Sequence, residues 1–282
     1  MKPPVHSQFH GKNLLEGKRC AVTGAGLGIG RQIAYTLAEQ GARVAIVDYK
    51  QELAASAAET INGEFADAAF PVVADVSSVE ALQTAFGEIA DAYDGGLDVF
   101  VNNAGINIPC RIEDMFEDGE ADKAVRLVMV NTVGSYLCAA GAYPLLLKGN
   151  DPVFIMMGSC ASQGSEGQGV YSLTKASLRG LLGTLVKEWV GGDDRRPVRV
   201  SIIEPDYFEE TGLRSDAYME ALARSRRTKP DALSNDAVAR TKVPLRREGR
   251  LVEIAEKTVM MVLDSYATGN VEVLSGGKTV RI

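Results

Sequence analysis

Thr23-Gly24-Ala25-Gly26-Leu27-Gly28-Ile29-Gly30 follows a short apolar run, Cys20-Ala21-Val22, and opens a stretch of helical spacing from Ile29 to Glu39. Glycines at such a strand-to-helix turn permit positive φ and let the backbone approach a pyrophosphate closely. The helix behind the turn presents free N–H groups and a favourable dipole to an anion. The second apolar run, Arg43 to Val47, leads to Asp48, eighteen residues after Gly30. A carboxylate at that point accepts hydrogen bonds from an adenosine ribose diol and repels a 2′-phosphate. The plainer alternative is a structural Asp closing a strand. In this context the spacing points to NAD rather than NADP, although Lys50 follows closely.

Outward from the turn, short β-branched or apolar runs alternate with helical patterns. The further runs are Phe70 to Val73, Leu97 to Val101, Val153 to Met157, Val198 to Ile203 and Val271 to Leu274. Between them, helical spacing covers Gln51 to Ile61, Val79 to Tyr93, Ala121 to Leu147, Leu173 to Val190 and Leu251 to Leu263. Strands alternating with helices imply right-handed crossovers and a parallel sheet covered on both faces. The expectation is an α/β fold with a Rossmann-like, doubly wound, seven-stranded parallel sheet. No linker or repeat divides residues 1–282, so one domain is expected, with an amino-terminal tail over 1–16. The polar segment 211–250 breaks the alternation between the sixth and seventh strands. Ligands bind beyond the carboxyl ends of such strands, so this segment reads as a substrate lid, or else as a surface excursion.

Composition narrows the function classes. The chain has 282 residues, 46% hydrophobic and 24% charged, ordinary values for a globular protein large enough to need no disulfide or metal staple. A net charge of −7 is the wrong sign for a protein that grips a nucleic-acid backbone. Cys20, Cys110, Cys138 and Cys160 form no C-x-x-C pair, and the two histidines, His6 and His10, both lie in the tail. No metal site is therefore expected, and acid–base chemistry falls to Tyr, Lys, Asp, Glu or Cys. Met1-Lys2-Pro3-Pro4 begins no signal peptide, and Leu127 to Leu147, with Asn131 and Ser135 inside it, reads as a buried helix rather than a membrane span. These readings place a soluble protein in the cytoplasm.

Tyr171 and Lys175 are four residues apart at the start of a helix and share a face. An ammonium beside a phenol stabilises the phenolate and makes a base of a group that otherwise titrates near ~10. Ser159, twelve residues earlier at the end of the fifth strand, can supply a substrate hydrogen bond. The three make a Ser–Tyr–Lys set at the edge of a dinucleotide crevice.

With these residues the chain resembles the short-chain dehydrogenase/reductase family over nearly its whole length. The matching motifs are Thr23-Gly24-x-x-x-Gly28-Ile29-Gly30, Asp75-Val76, Asn102-Asn103-Ala104-Gly105, Asn131, Ser159 and Tyr171-x-x-x-Lys175. The resemblance implies Tyr171 as general acid/base, Ser159 as polariser of the substrate oxygen, Lys175 on the nicotinamide ribose and Asn131 holding a water that relays protons to Lys175. It places the cofactor against Gly24, Gly26, Leu27, Gly28 and Ile29. Further on, Asp48, Asp75 and Val76 would meet its adenosine, and Asn103, Ala104, Gly105 and Pro205 its remainder. It also implies a small-molecule substrate and a homo-oligomer, tetramer or dimer, packed through the helices Ala121–Leu147 and Leu173–Val190. Two departures stand out: Pro205-Asp206 replaces the family's Pro-Gly, and the segment between Ser159 and Tyr171 is shorter by one residue. Asp206 tolerates fewer backbone conformations than Gly, which bears on the loop beside the nicotinamide.

Within the family, four stretches look like the bacterial sorbitol-6-phosphate 2-dehydrogenase group: Asn103 to Pro109, Gly164 to Gln168, Thr211-Gly212-Leu213-Arg214 and Gly276-Gly277-Lys278-Thr279. Between Gly212 and Arg250 ten basic residues face five acidic ones. A basic lid attracts an anionic substrate, and Arg111 and Arg214, with Glu166, are its expected contacts. Glu209 and Glu210 count against a phosphate, and a solvated basic face is the alternative. The expected activity is NAD-dependent hydride transfer on a polyol or sugar phosphate such as sorbitol 6-phosphate. The alternatives are the same chemistry on a hydroxysteroid or other apolar alcohol, a redox-neutral isomerase or dehydratase, and a non-catalytic dinucleotide-sensing protein.

Overall fold

The structure is a computed structural model and describes residues 3–117, 119–191, 197–209, 216–233 and 241–279. Seven parallel strands lie in the order β3-β2-β1-β4-β5-β6-β7. They are β1 (Arg19–Thr23), β2 (Arg43–Asp48), β3 (Ala69–Val73), β4 (Val99–Asn102), β5 (Val153–Met157), β6 (Arg199–Pro205) and β7 (Asn270–Leu274). Helices α1 (Gly28–Glu39), α2 (Gln51–Asn62) and α8 (Leu251–Leu263) cover one face; α3 (Val79–Ala92), α5 (Gly134–Leu146) and α6 (Gly169–Leu185) cover the other. Both faces of each central strand are therefore apolar. Cys20, Val22, Val44 and Ile46 pack toward the first layer, while Ala21, Ala45, Phe100 and Phe154 pack toward the second.

The chain order reverses between β1 and β4, and a crevice opens there at the carboxyl ends of the strands. The glycine turn after β1 and the segment after β4 form its two lips. Helix α4 (Glu120–Val128) runs into α5 through a π-helical turn, Met129–Val133, and a second such turn, Val186–Val190, extends α6. By length and composition the run Glu120–Leu146 is apolar enough to cross a membrane. Its Leu127, Asn131, Cys138, Ala142 and Leu146 are buried in this domain, as the sequence reading expects, while Val125, Met129 and Tyr136 remain exposed.

One expectation changes. The segment 3–16 is not a loose tail: Val5 exchanges hydrogen bonds with Gln32 (2.9 and 2.8 Å), and the Gln8 N–H donates to Glu256 of α8 at 2.7 Å. In the segment expected to act as a lid, α7 (Asp216–Ser225) and a short 3-10 turn (Pro230–Leu233) lie after β6, and Phe208 bridges to Gly249. Arg214 and Glu210, with the stretch Thr211 to Arg214, lie outside the described residues.

Candidate active site

The glycine turn is held by its neighbours across the crevice. Gly24 has φ +62°, and a Cβ there would stand 3.0 Å from the Ala104 Cα, so β1 and the β4 segment approach too closely for a side chain. Asn103 donates through Nδ2 to the carbonyls of Thr23 (2.9 Å) and Gly24 (3.2 Å), and the N–H groups of Asn103 and Ala104 both donate to Thr23 Oγ1 at 3.0 Å. Asn103 and Ala104, expected at the cofactor, thus also brace the turn itself. Helix α1 starts with Leu27 at its cap, no side-chain acceptor and no acid in its first turn. Its positive end is left to an anion.

Asp48 ends β2 and is buried. It accepts from the Gly26 N–H at 3.0 Å and the Lys50 N–H at 3.1 Å, so this residue has the structural role that the sequence reading gives as its alternative. Asp75 is exposed and accepts from the Ser77 N–H at 2.9 Å, while Val76 is buried beside Gly134. A cavity of about 690 Å³ runs from Asp48, Lys50 and Asp75 past Gly24, Leu27, Ile29 and Asn103–Ile106 to Ser159, Tyr171, Lys175 and Pro205. Its far end is closed by Tyr218 and Leu222 of α7 and by Leu233. The residues fit a dinucleotide: a side-chain-free cradle, an uncapped helix start and a carboxylate follow one another along a single cleft.

At the far end stand the residues expected to be catalytic. Tyr171 lies in the first turn of α6, because the helix starts at Gly169, four residues before the Leu173 that periodicity alone suggests. Burial pushes its phenol up to about 12, against a lowering hydrogen bond from Ser159. Lys175, one turn on, donates to the Met157 carbonyl at 2.8 Å, and its Nζ lies 5.8 Å from the Tyr171 ring centre. Burial lowers Lys175 to about 8, opposed by the charge of Glu204. Ser159 caps the short turn Cys160–Gln163, accepting from the Ala161 N–H at 3.2 Å.

Asn131 sits inside the π turn, where the widened helix admits a polar group. Its Oδ1 accepts from the Ile106 N–H at 2.8 Å, and its Nδ2 donates to the Ile106 carbonyl at 2.9 Å and to Thr174 at 3.2 Å. The side chain is thereby committed to joining the β4 segment to α6. Thr174, which sequence spacing did not single out, is the third member of that joint.

Of the three expected substrate contacts, Arg214 lies outside the described residues and the other two do not line the cavity. Arg111 and Glu166 lie outside the cavity wall: Arg111 donates to Glu113 at 2.5 Å, to Glu166 at 3.3 Å and to the Ser225 carbonyl at 3.0 Å. Its neighbouring carboxylates hold the cation away from the cavity, where it ties α7 to the β4 segment. The further residues that line the cavity are Asn107, Gln168, Phe208, Tyr218, Leu222 and Arg226. Tyr218 Oη accepts from Gln168 at 2.9 Å and Asn107 at 3.2 Å. A single aromatic in a polar insertion already expected to act as a lid was the available signal for Tyr218. Asp206 pairs with Lys278 at 2.8 Å, and its φ is not positive, so the backbone there does not require the family's glycine.

Comparison with known proteins follows the same lines. A model of the family described as short chain dehydrogenase matches residues 18–221. An oxidoreductase named UcpA from Salmonella typhimurium is 29% identical over 94% of this chain and 96% of its own. Human 3-oxoacyl-[acyl-carrier-protein] reductase is 30% identical over 92% of this chain and 97% of its own, and Klebsiella pneumoniae sorbitol-6-phosphate 2-dehydrogenase is 30% identical over 92% and 94%. A solved short-chain type dehydrogenase/reductase from Mycobacterium marinum superposes with a TM-score of 0.79 at 26% identity, over 95% of this chain and 97% of that one.

Proposed function

The chain belongs to the short chain dehydrogenase family and is an oxidoreductase; from that premise we propose that it uses NAD to interconvert a secondary alcohol and a ketone on a polyol or sugar phosphate. The observation that carries the chemistry is the convergence of Ser159, Tyr171 and Lys175 at one end of a cleft whose other end is built for a dinucleotide. The nicotinamide, when bound, accepts or returns the hydride. In the oxidative direction the substrate hydroxyl proton passes to the Tyr171 phenolate, and the Ser159 hydroxyl donates to the same substrate oxygen. Lys175, held by the Met157 carbonyl, keeps its positive charge close to that phenolate. Asn131 positions Ile106 and Thr174 around Lys175.

Asp48 favours NAD. Its carboxylate stands where the ribose diol would lie, and two hydrogen bonds to a charged acceptor, ~1.5–3 kcal/mol each, give a preference of two or more decades. Asp48→Ala should shrink that preference mainly by weakening NAD. Faster turnover of the parent protein with NADP than with NAD would overturn the assignment.

The polyol reading rests on Asn107. Its Oδ1 has no partner among the described residues although the residue lines the cavity, and Gln168, Ser165 and Tyr218 add hydroxyl and amide groups nearby. Arg226 and Lys278 line the same end and offer the cationic contact that Arg111 does not. Phe208, Leu222 and Leu233 favour a second reading, an apolar alcohol such as a hydroxysteroid. A panel of polyols, their phosphates and steroids, followed by nicotinamide absorbance, separates the two. Higher kcat/KM on a phosphorylated polyol than on its parent supports the first, and turnover of apolar alcohols alone sinks it. The exposed Val125, Met129 and Tyr136, with Leu173 on α6, support a homo-oligomer packed through these helices.

A further inference from the structure

Both histidines of the chain converge on one carboxylate far from the cleft. Glu39 closes α1, and its side chain has no solvent exposure. Its Oε1 lies 2.7 Å from His6 Nδ1 and 3.0 Å from His10 Nδ1. Its Oε2 is occupied by the Ser7 N–H at 3.1 Å, the Ser7 hydroxyl and Gln40. Hydrogen bonds from Val5 to Gln32 and from Gln8 to Glu256 fix the backbone on either side of His6.

His6 is the informative residue. Its Nδ1 faces Glu39, and its Nε2 faces Glu64 Oε2 at 3.4 Å. A neutral imidazole carries one N–H and can satisfy only one carboxylate oxygen. With that proton toward Glu64, the Nδ1 lone pair points at an anion unless a cation stands between them. His10 Nδ1 meets the same oxygen, and the three ligand atoms all lie within 4.8 Å of one another.

We propose that His6, His10 and Glu39 bind one divalent transition-metal ion, of the zinc type, that fastens the amino-terminal strap to α1. Two imidazoles and a carboxylate are the donor set that zinc takes with three protein ligands, and the half-exposed histidines leave its fourth position to water. Ligand atoms around zinc at ~2.0 Å stand ~3.3 Å apart, so the 2.7 and 3.0 Å separations from Glu39 Oε1 must open by ~0.6 and ~0.3 Å to admit the ion. Glu64 then accepts a hydrogen bond from the His6 Nε2–H and orients the ring, as carboxylates behind metal-bound histidines do. The ion sits eleven residues, ~16 Å, along α1 from the glycine turn, so its role is to hold the fold rather than to react.

The test uses untagged full-length protein, stripped with a chelator and titrated with zinc by calorimetry and with cobalt by visible absorption. One equivalent should bind, cobalt should give the intense bands of a tetrahedral site, and Tm should rise with zinc concentration. His10→Ala and His6→Ala should each abolish the stoichiometric site, and Glu64→Gln should weaken it ~10–100-fold. Absence of stoichiometric binding by the parent protein, or parental binding by either histidine variant, overturns the proposal and leaves direct hydrogen bonds to Glu39 as the clasp.

Discussion

Glu39 and Lys175 are both buried ionisable groups, and the protein treats them in opposite ways. Burial pushes the Glu39 pKa up, but hydrogen bonds from Ser7, His6 and His10 outweigh it and hold the carboxyl below its ordinary range. Lys175 donates to one partner among the described residues, the Met157 carbonyl, and burial wins, bringing it down to about 8. Tyr171 beside it is likewise driven from its ordinary value by burial. A charge with its hydrogen bonds complete holds a segment in place. A charge left short of partners is costly to the fold and available to a substrate or cofactor.

The largest expected effect lies at the unsatisfied end. Tyr171→Phe removes the proton acceptor and should lower kcat by ~10²–10⁴, with the dissociation constant for cofactor little changed. Retention of near-parental kcat would break the assignment. In the parent protein alcohol oxidation should accelerate with rising pH, because Tyr171 must be deprotonated, and ketone reduction should slow.

Lys175→Met sharpens the contrast by separating function from stability. The ammonium is disfavoured in the folded state, so the folded protein binds fewer protons than the unfolded chain between about 8, the folded value, and the unfolded value near ~10.4. The stability penalty is fully present at neutral pH and fades as pH rises through that window. Lys175→Met should therefore lose activity yet gain on the order of 2–3 kcal/mol at pH 7, and the gain should shrink by pH 10. Denaturant titrations of both proteins at the two pH values check this. Comparing the pair cancels the buried cysteines and tyrosines, which titrate in the opposite sense.

A smaller change is expected in the lid. Tyr218→Phe removes the acceptor of Asn107 and Gln168 and should lower kcat/KM by ~2–10-fold, mostly through KM, as for one or two neutral hydrogen bonds. Smallest of all, Arg111→Ala should leave kcat/KM within about twofold, because its partners are Glu113, Glu166 and a lid carbonyl rather than the cavity. A large loss of turnover on phosphorylated substrates alone would return Arg111 to the substrate role its sequence context suggests.

The order of elements was legible in the sequence because a parallel sheet buried on both faces writes its strands as continuous apolar runs, and each was found within a few residues. The glycine turn, Asp48 and the Tyr171–Lys175 pair were legible for a similar reason: their chemistry depends on spacing within one element or across one turn. The lid contacts were not. Arg111 and Glu166 stand next to motif residues, but a carboxylate neighbour two positions away decides where a guanidinium points, and only packing selects the partner. Asp206 in place of glycine looked like a backbone question and became an ion pair with Lys278, seventy-two residues distant. The histidines show the limit most plainly. Composition assigned them to a tail, whereas the stripe Gln32, Tyr35 and Glu39 on α1, three and four residues apart, draws that tail onto the helix. Local spacing is fixed by covalent geometry and can be read directly; meetings between side chains distant in sequence follow from the fold that brings their elements together, and only the tertiary structure decided them.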